Sequence, residues 1–544
     1  MTSLTPAFLR WFAGRRPPGA PGYLLPRWIF LRALGLIYFS AFYSFVFQIR
    51  GLIGPHGLLP AGEYLEQVAG VMGHARYWYA PTLLWLGSGP RALELLCWTG
   101  MIASVLLTVN LWPRGMLVVC FACFLSIIAA AQDFSGYQSD GMLLSAGFAS
   151  LFFAPPGWRP GWGEARPPSR GSMFLLQWLW FTIYLESGVA KIIGGDPEWR
   201  HLTAMDEYYQ NGPLPTWIGW YAQHLPHWFH TATTLLTLVV ELGLVWMLFL
   251  PRRFRIVCFL IVTPFEIGII LTANYTFLNY LVLTLGFLLL DDRSLLRFLP
   301  RGWASPARRN PEERVAAEPP AAGNNATEAR GWLMRGKALA AAAGLWLSGM
   351  MMAWILYATA AFLLRGMLGT MPVPSGPVVA LEPFRIANAY GLFGIMTRAR
   401  YEIEFQGSND GKTWIAYPFR YKPQDPAAAP GIYAPYQPRF DWNLWFASLG
   451  GWRENVFVIR TEEALLTNEP DVLTLFAGNP FAKAPPREVR AVLWQYWFTD
   501  LAAKRTQGLW WRREMLGLYA PTLERGPDGR FGVVEWPQGN IPPP

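Results

Sequence analysis

Charge is scarce in this sequence. Asp, Glu, Lys and Arg make up 15% of 544 residues, against 53% hydrophobic and 16% aromatic. A chain so long and so apolar is excluded as a wholly water-soluble enzyme. Cysteine is nearly absent too. The four present, Cys97, Cys120, Cys123 and Cys258, all fall in apolar runs, so an outer polar domain would fold without disulfides. Cys120 and Cys123 form a C-x-x-C remote from charge, which reads as small core residues and not as a redox pair. Large lumenal domains of animal secretory proteins more often carry bridges, so a bacterial cytoplasmic membrane is expected. Also missing are a phosphate-binding loop, a dinucleotide fingerprint, a nucleophile elbow and an HExxH motif. No common catalytic signature is therefore present, and no cofactor is expected. The net charge of +9 comes largely from arginines in short connections, where membrane topology and anionic head groups account for it, so nucleic acid is not an expected partner.

What the sequence does have is a succession of long apolar runs. Spans are predicted near residues 28–48, 92–112, 116–131, 140–154, 173–193, 228–250, 255–273, 275–291 and 339–365, most of them long enough for ~30 Å of hydrocarbon. The third and fourth are short enough to be re-entrant. The first has arginines before it, as a signal peptide does, but is too long and lacks a small-residue cleavage site, so it is expected to stay. Arg10, Arg15, Arg16 and Arg27, then Arg114, then Arg159, Arg166 and Arg170, then Arg252, Arg253 and Arg255 mark alternate connections as cytoplasmic. Nine crossings from an inside N-terminus place the C-terminal part outside. The expected domains are an eight-span membrane bundle with outer loops over 1–299, a flexible cytoplasmic linker over 300–338, a ninth span over 339–365, and an extracytoplasmic domain over 366–544. The Asn325-Ala326-Thr327 glycosylation sequon lies on the cytoplasmic side of this map and is inert there.

The last part changes character to short runs broken by Gly, Pro and Asn. Tyr401, Ile403 and Phe405 alternate with Glu402 and Glu404 as in a half-buried strand, Asn409-Asp410-Gly411 supplies a turn, and Trp414 to Tyr421 makes the return strand. Val489, Leu493 and Tyr496 after Pro485 and Pro486 predict an amphipathic helix on the sheet. The fold class expected is a multi-pass α-helical membrane bundle plus a C-terminal, mainly-β domain, either α+β or a β-sandwich.

Polar residues cluster on the outer side. The first outer loop carries Gln48, Arg50 and His56 among Gly and Pro, either an interfacial hairpin capping the bundle or a binding loop. A second cluster, with Asp133, Gln138 and Asp140, either solvates freely, caps a helix or contributes to a site. In the fifth span, Glu186 and Lys191 are a carboxylate and an ammonium at membrane depth, with Ser187 one turn from Lys191. Such charges need partners, and Glu241 and Glu266 are available from the next two spans. The network would lock helices together, or serve as a proton relay or a lysine base, which makes Lys191 and Glu186 the catalytic candidates. His224, His227 and His230 are interrupted by Pro226 and lack a thiolate or carboxylate in the same run. They read as an interfacial belt with Trp217 and Trp228 and not as a metal site.

Many separated runs resemble the lipase maturation factor family. They include Gln48 to Pro60, Glu186-Ser-Gly-Val-Ala-Lys191, Gly195-Asp196-Pro-Glu-Trp199, Pro213-Leu-Pro-Thr-Trp217, Asn388-Ala-Tyr390-Gly-Leu-Phe393, Arg400-Tyr-Glu-Ile-Glu404, Arg439-Phe-Asp441-Trp442 and Trp510-Trp-Arg-Arg-Glu514. In the second outer cluster Tyr137-Gln-Ser139-Asp140 and Leu143-Leu-Ser145 replace the family's usual Phe-Gln-Trp-Asp and Leu-Leu-Leu-Glu. The resemblance implies a multi-pass membrane protein whose vertebrate relatives sit in the endoplasmic reticulum and help secreted lipases become active dimers. It implies Asp196 and Trp199 as further members of the polar cluster. The membrane part also resembles, more distantly, the membrane domain of vitamin K-dependent carboxylases, which use a lysine base. The expected function is thus a chaperone-like maturation factor for a secreted client, the resemblance implying a lipase, with the lipid bilayer as the other partner and Trp442, Trp445, Trp510 and Trp511 as candidate client-binding surface. The alternative is a membrane-embedded enzyme or small-molecule-binding protein built on the lysine and carboxylates at the outer bundle mouth.

Overall fold

Apolar runs begin at residues that start helices cheaply. In the computed structural model, which describes residues 22–297 and 328–538 (side chains of the second stretch from residue 339), the main helices are α1 Leu24–Val46, α2 Pro90–Thr108, α3 Pro113–Ile128, α4 Gln138–Phe153, α5 Arg170–Ile193, α6 His227–Leu242, α7 Arg252–Thr272, α8 Leu278–Gly286 and α9 Glu328–Leu368. Pro90 and Pro113 occupy first-turn positions whose N–H would be unpaired anyway. The Ser169 hydroxyl accepts from the Ser172 N–H to cap α5. Each helix falls where a span is predicted. By length and composition five are apolar enough to cross a membrane: α1, α2, α6 with its continuation to Phe249, α7, and Leu339–Leu368 of α9. The other four fall short of that criterion, α3 and α4 at 16 residues, α8 at 9, and α5 with Glu186 and Lys191 in its C-terminal half. The chain is an integral membrane protein. α9 starts at Glu328, inside the stretch expected to be linker, because Ala, Leu, Met, Lys and Arg there are all good helix formers. The rest of that linker, the sequon and Arg10, Arg15 and Arg16 lie outside the described residues.

The two ends of the bundle differ. At one end Arg27 donates to the carbonyls of Arg166, Trp162 and Gly163, Arg114 to that of Ala154, and Arg252 pairs with Asp291 at 2.6 Å. At the other end sits the C-terminal domain. All four cysteines are buried and free.

The C-terminal domain is one antiparallel sheet with helices, so α+β and not a sandwich. Its strands are β1 Arg400–Ser408, β2 Ile415–Ala416, β3 Glu488–Phe498, β4 Trp511–Leu518, β5 Thr522–Arg525 and β6 Phe531–Glu535, in the order β2-β1-β3-β5-β6 with β4 also on β3. The β1/β3 ladder runs from Arg400 opposite Tyr496 to Ser408 opposite Glu488. Helices α10 Arg439–Ser448 and α11 Val456–Leu466 cover it. Two expectations are corrected. The segment with Val489, Leu493 and Tyr496 is the central strand and not a helix: Val489, Ala491 and Leu493 alternate on a buried face, and β-branched and aromatic side chains favour the pleat. β1 is buried on both faces, not half-buried. The turn is as expected. Gly411 has φ +68°, and Asp410 is held at about 2 because the N–H groups of Thr413 and Lys412 and the Thr413 hydroxyl bind its carboxylate. The return strand is only two residues long.

Candidate functional site at the bundle mouth

α4 begins with a carboxylate, and α10 begins with a guanidinium. Asp140 and Arg439 meet in a two-pronged pair, Nη1 to Oδ2 at 2.8 Å and Nη2 to Oδ1 at 2.7 Å, both fully buried. Arg439 also donates to the Phe134 carbonyl at 2.7 Å and lies 4.0 Å over the Phe45 ring. Nearby, the Gln48 amide donates to the carbonyls of Ser44 and Gln437 and to the Tyr436 hydroxyl, and its oxygen accepts from the Phe440 N–H. A buried amide or carboxylate must be paired. Here each is paired by the C-terminal domain.

The end of α5 follows the same rule. Lys191 Nζ contacts Glu241 at 2.8 Å, donates to the Leu392 carbonyl at 2.9 Å, and lies 5.0 Å over the Trp199 ring. Glu241 is thus the partner that it takes from the three expected carboxylates. Glu266 is occupied instead by the Tyr184 hydroxyl and the Asn279 amide, and Glu186 accepts from the Tyr390 N–H. Ser187 Oγ accepts from the Leu392 N–H, Gln138 Oε1 from the Gly391 N–H, and Asp196 from the Met396 N–H, while Trp199 donates to the Phe393 carbonyl. The stretch 386–397 therefore lies across the bundle mouth as a strap, with its backbone groups taken up by bundle side chains. Asn274 grips a second stretch, through Gly431, Tyr433 and Ala434, and Trp220 donates to the Trp510 carbonyl.

Three of the cavities at this junction are lined by the expected residues. One of about 880 Å³ is lined by Glu186, Tyr137, Trp442, Trp445, Phe362 and Phe393 among others. One of about 300 Å³ includes Lys191, Glu241 and Glu266. One of about 750 Å³ includes Arg50, Gln48 and Asp441. Glu186, Lys191 and Arg50 line three different cavities, and Asp140 lines none of the three. Arg50 is instead tied to Asp471 at 2.9 Å and Glu94 at 3.5 Å. His56 and Asp133 are exposed. His224 binds the Trp220 and Thr499 carbonyls, His227 faces Asp206, and His230 packs on Tyr209. Among the described residues no group of three or more His, Cys, Asp or Glu is arranged to hold a metal.

The candidate client surface is corrected. Trp442, Trp445 and Trp511 are buried, and Trp510 is half-buried against Trp220 with ring centroids 5.1 Å apart. Trp442 stacks on Tyr137 at 5.0 Å. The reason is that α10 sets Trp442 and Trp445 between sheet and bundle, while Trp511 packs in the sheet on Tyr496 and Phe498. Sequence reasoning assigned no role to Arg439, to Asn274 or to the Arg400–Glu402–Lys422 cluster inside the sheet. The available signal was that the carboxylates at the bundle mouth outnumber the cations Lys191 and Arg50 that could pair them.

Residues 25–297 match the family described as the lipase maturation factor transmembrane domain, and residues 386–521 the lipase maturation factor C-terminal domain. The chain is 32% identical to lipase maturation factor 1 of Bos taurus, over 96% of this chain and 94% of that protein. It is 31% identical to lipase maturation factor 1 of Homo sapiens (94% and 91%) and 31% identical to lipase maturation factor 2 of Gallus gallus (94% and 83%). No solved structure matches it.

Proposed function

We propose that this chain, which belongs to the lipase maturation factor family, is a membrane-bound folding factor that holds an exported lipase while it matures. The observation that carries the reading is the match of both family domains, over 25–297 and 386–521, together with a relative named for lipase maturation that aligns with 96% of the chain. The outer domain is the holding part. Its ionic anchors are used up in fastening it to the bundle, so client contact falls to surfaces that packing leaves open. β6 is an edge strand, paired only to β5 among the described residues, and it exposes Phe531, Val533 and Val534, with Trp536 exposed just after its end. An apolar free edge is a template for strand addition, which suits an extended client segment that has yet to find its own partner.

Nine crossings, an inside N-terminus and an outside C-terminal domain complete the reading, in a bacterial cytoplasmic membrane; eukaryotic relatives would use the endoplasmic reticulum membrane. Supporting it, the arginine-rich connections and the C-terminal domain sit at opposite ends of the bundle. The domain plan is a bundle over 1–299, a linker from 300 that runs into α9 at Glu328, a ninth span over 339–365 within that helix and the outer domain from 366, with the client and the bilayer as partners.

Site-specific photo-crosslinking from Val533 in native membranes tests the proposal. Exported lipases captured at Val533, and lost when Val534 is replaced by Pro to block the edge, are expected. Capture of no exported hydrolase would contradict it.

A further inference from the structure

The cavity of about 880 Å³ at the junction of bundle, α9 and outer domain is the one that packing explains least. Its size is within the ~300–1,000 Å³ usual for small-molecule sites. Four residues in its wall hold a buried polar atom with no hydrogen-bond partner: Ser139 Oγ, Glu186 Oε1, Trp442 Nε1 and Trp445 Nε1. Such groups are costly to leave unmade. The rest of the wall is aromatic and aliphatic, from Tyr137, Phe446, Phe362 and Phe393. An extended peptide is a poor occupant, because the strap that forms one wall has already spent the N–H groups of Tyr390, Gly391, Leu392 and Met396 and the carbonyls of Leu392 and Phe393 on bundle side chains. What remains to be satisfied is two indole donors, a hydroxyl and a carboxyl oxygen in apolar surroundings. The cavity is open beside the end of α9: Gly366 and, in the turn that follows, Gly369 line it, and a Cβ at either would meet nothing within 4 Å. Arg365 stands exposed at the rim.

We infer that this cavity binds a long-chain acyl amphiphile, a fatty acid or an acyl arm of a glycerolipid, with its carboxyl or ester oxygens toward the indole N–H groups of Trp442 and Trp445 and its chain along the aromatic walls. Arg365 supplies the cation for a carboxylate or phosphate head. The inference stands apart from the client reading, since a lipid site would exist whether or not β6 takes a client.

The test uses the full chain in detergent micelles with two photoreactive probes, diazirine palmitate and phosphatidylglycerol with a diazirine acyl chain, followed by peptide mapping. Labelling concentrated in 362–369, 389–397 and 442–449 by either probe supports the site, and the probe that labels more strongly identifies the source. Gly366→Trp is expected to lower that labelling about tenfold by filling the opening, whereas Gly344→Trp, on the same helix where a Cβ also meets open space, leaves it unchanged. Trp442→Phe and Trp445→Phe keep the rings, remove the donors, and are each expected to weaken binding by about two- to tenfold. Labelling spread along the outward faces of α6 and α7 and indifferent to Gly366→Trp and to both Trp→Phe changes would overturn the proposal. So would displacement by an extended apolar peptide but not by unlabelled palmitate.

Discussion

At the residue scale the molecule is governed by buried charges that find partners across a domain boundary. Asp140 and Arg439 are both fully buried, and removing one leaves the other uncompensated in apolar surroundings. Arg439→Leu is therefore expected to destabilise the chain by about 3–5 kcal/mol, and Asp140→Leu combined with Arg439→Met to recover most of that loss. Denaturation of the two variants in detergent reads the difference, and a single variant as stable as the parent would contradict the account. Asp441 gives a pH signature. Burial pushes its carboxyl up to about 6, with the N–H of Lys422, the Lys422 charge and the N–H of Tyr421 opposing. Between roughly pH 4 and 6 the folded chain keeps a proton that the unfolded chain has lost, so this residue's contribution to stability falls as pH rises through that window and is flat above it. Asp441→Asn removes the dependence. Its stability relative to the parent should rise by up to about 3 kcal/mol across the window, and a pH-independent difference in urea midpoints would count against the assignment. Reading the sequence at this scale was half sufficient. Periodicity along α5 put Ser187 and Lys191 on one face, because helical spacing is local, and the cost of buried charge offered Glu241 or Glu266 from the next two spans as partners. It could not pair Glu186 with the Tyr390 N–H or Asp140 with Arg439, since those contacts join positions 204 and 299 residues apart.

Among the elements, the strap over 386–397 and the helix α10 do most to position the site. Both were visible in the sequence as runs that resemble the family, yet neither has a periodic pattern that announces its role, because a strap whose backbone is satisfied by side chains obeys no 2.0 or 3.6 repeat. The reverse failure occurred at β3. Val489, Leu493 and Tyr496 match helical spacing by coincidence, and the tertiary pairing with β1 decided the matter. If strap and α10 hold the domains as described, the covalent linker between α8 and α9 is dispensable for association. A protease site inserted near Arg308, after cleavage in detergent, should leave residues 1–308 and the remainder co-eluting on size exclusion. Separation of the fragments at moderate salt would show that the buried pairs do not carry the junction.

At the scale of the whole molecule, composition sufficed for the membrane class, and the arginine pattern for an asymmetric bundle. Arg27, Arg114 and Arg252 do gather at the end away from the outer domain. Span number was less legible, since α3, α4 and α8 are short for a bilayer and are carried by their neighbours. Fusions after Pro544 should give a periplasmic reporter signal and no cytoplasmic one, and a cytoplasmic signal would invert the map. The client reading is tested most directly in cells of the source organism lacking this chain, by measuring the activity of each exported lipase per unit of lipase antigen. The account predicts a loss of specific activity, restored by the parent chain and not by one with Val533 and Val534 both changed to Lys. Unchanged specific activity for every exported lipase would contradict it.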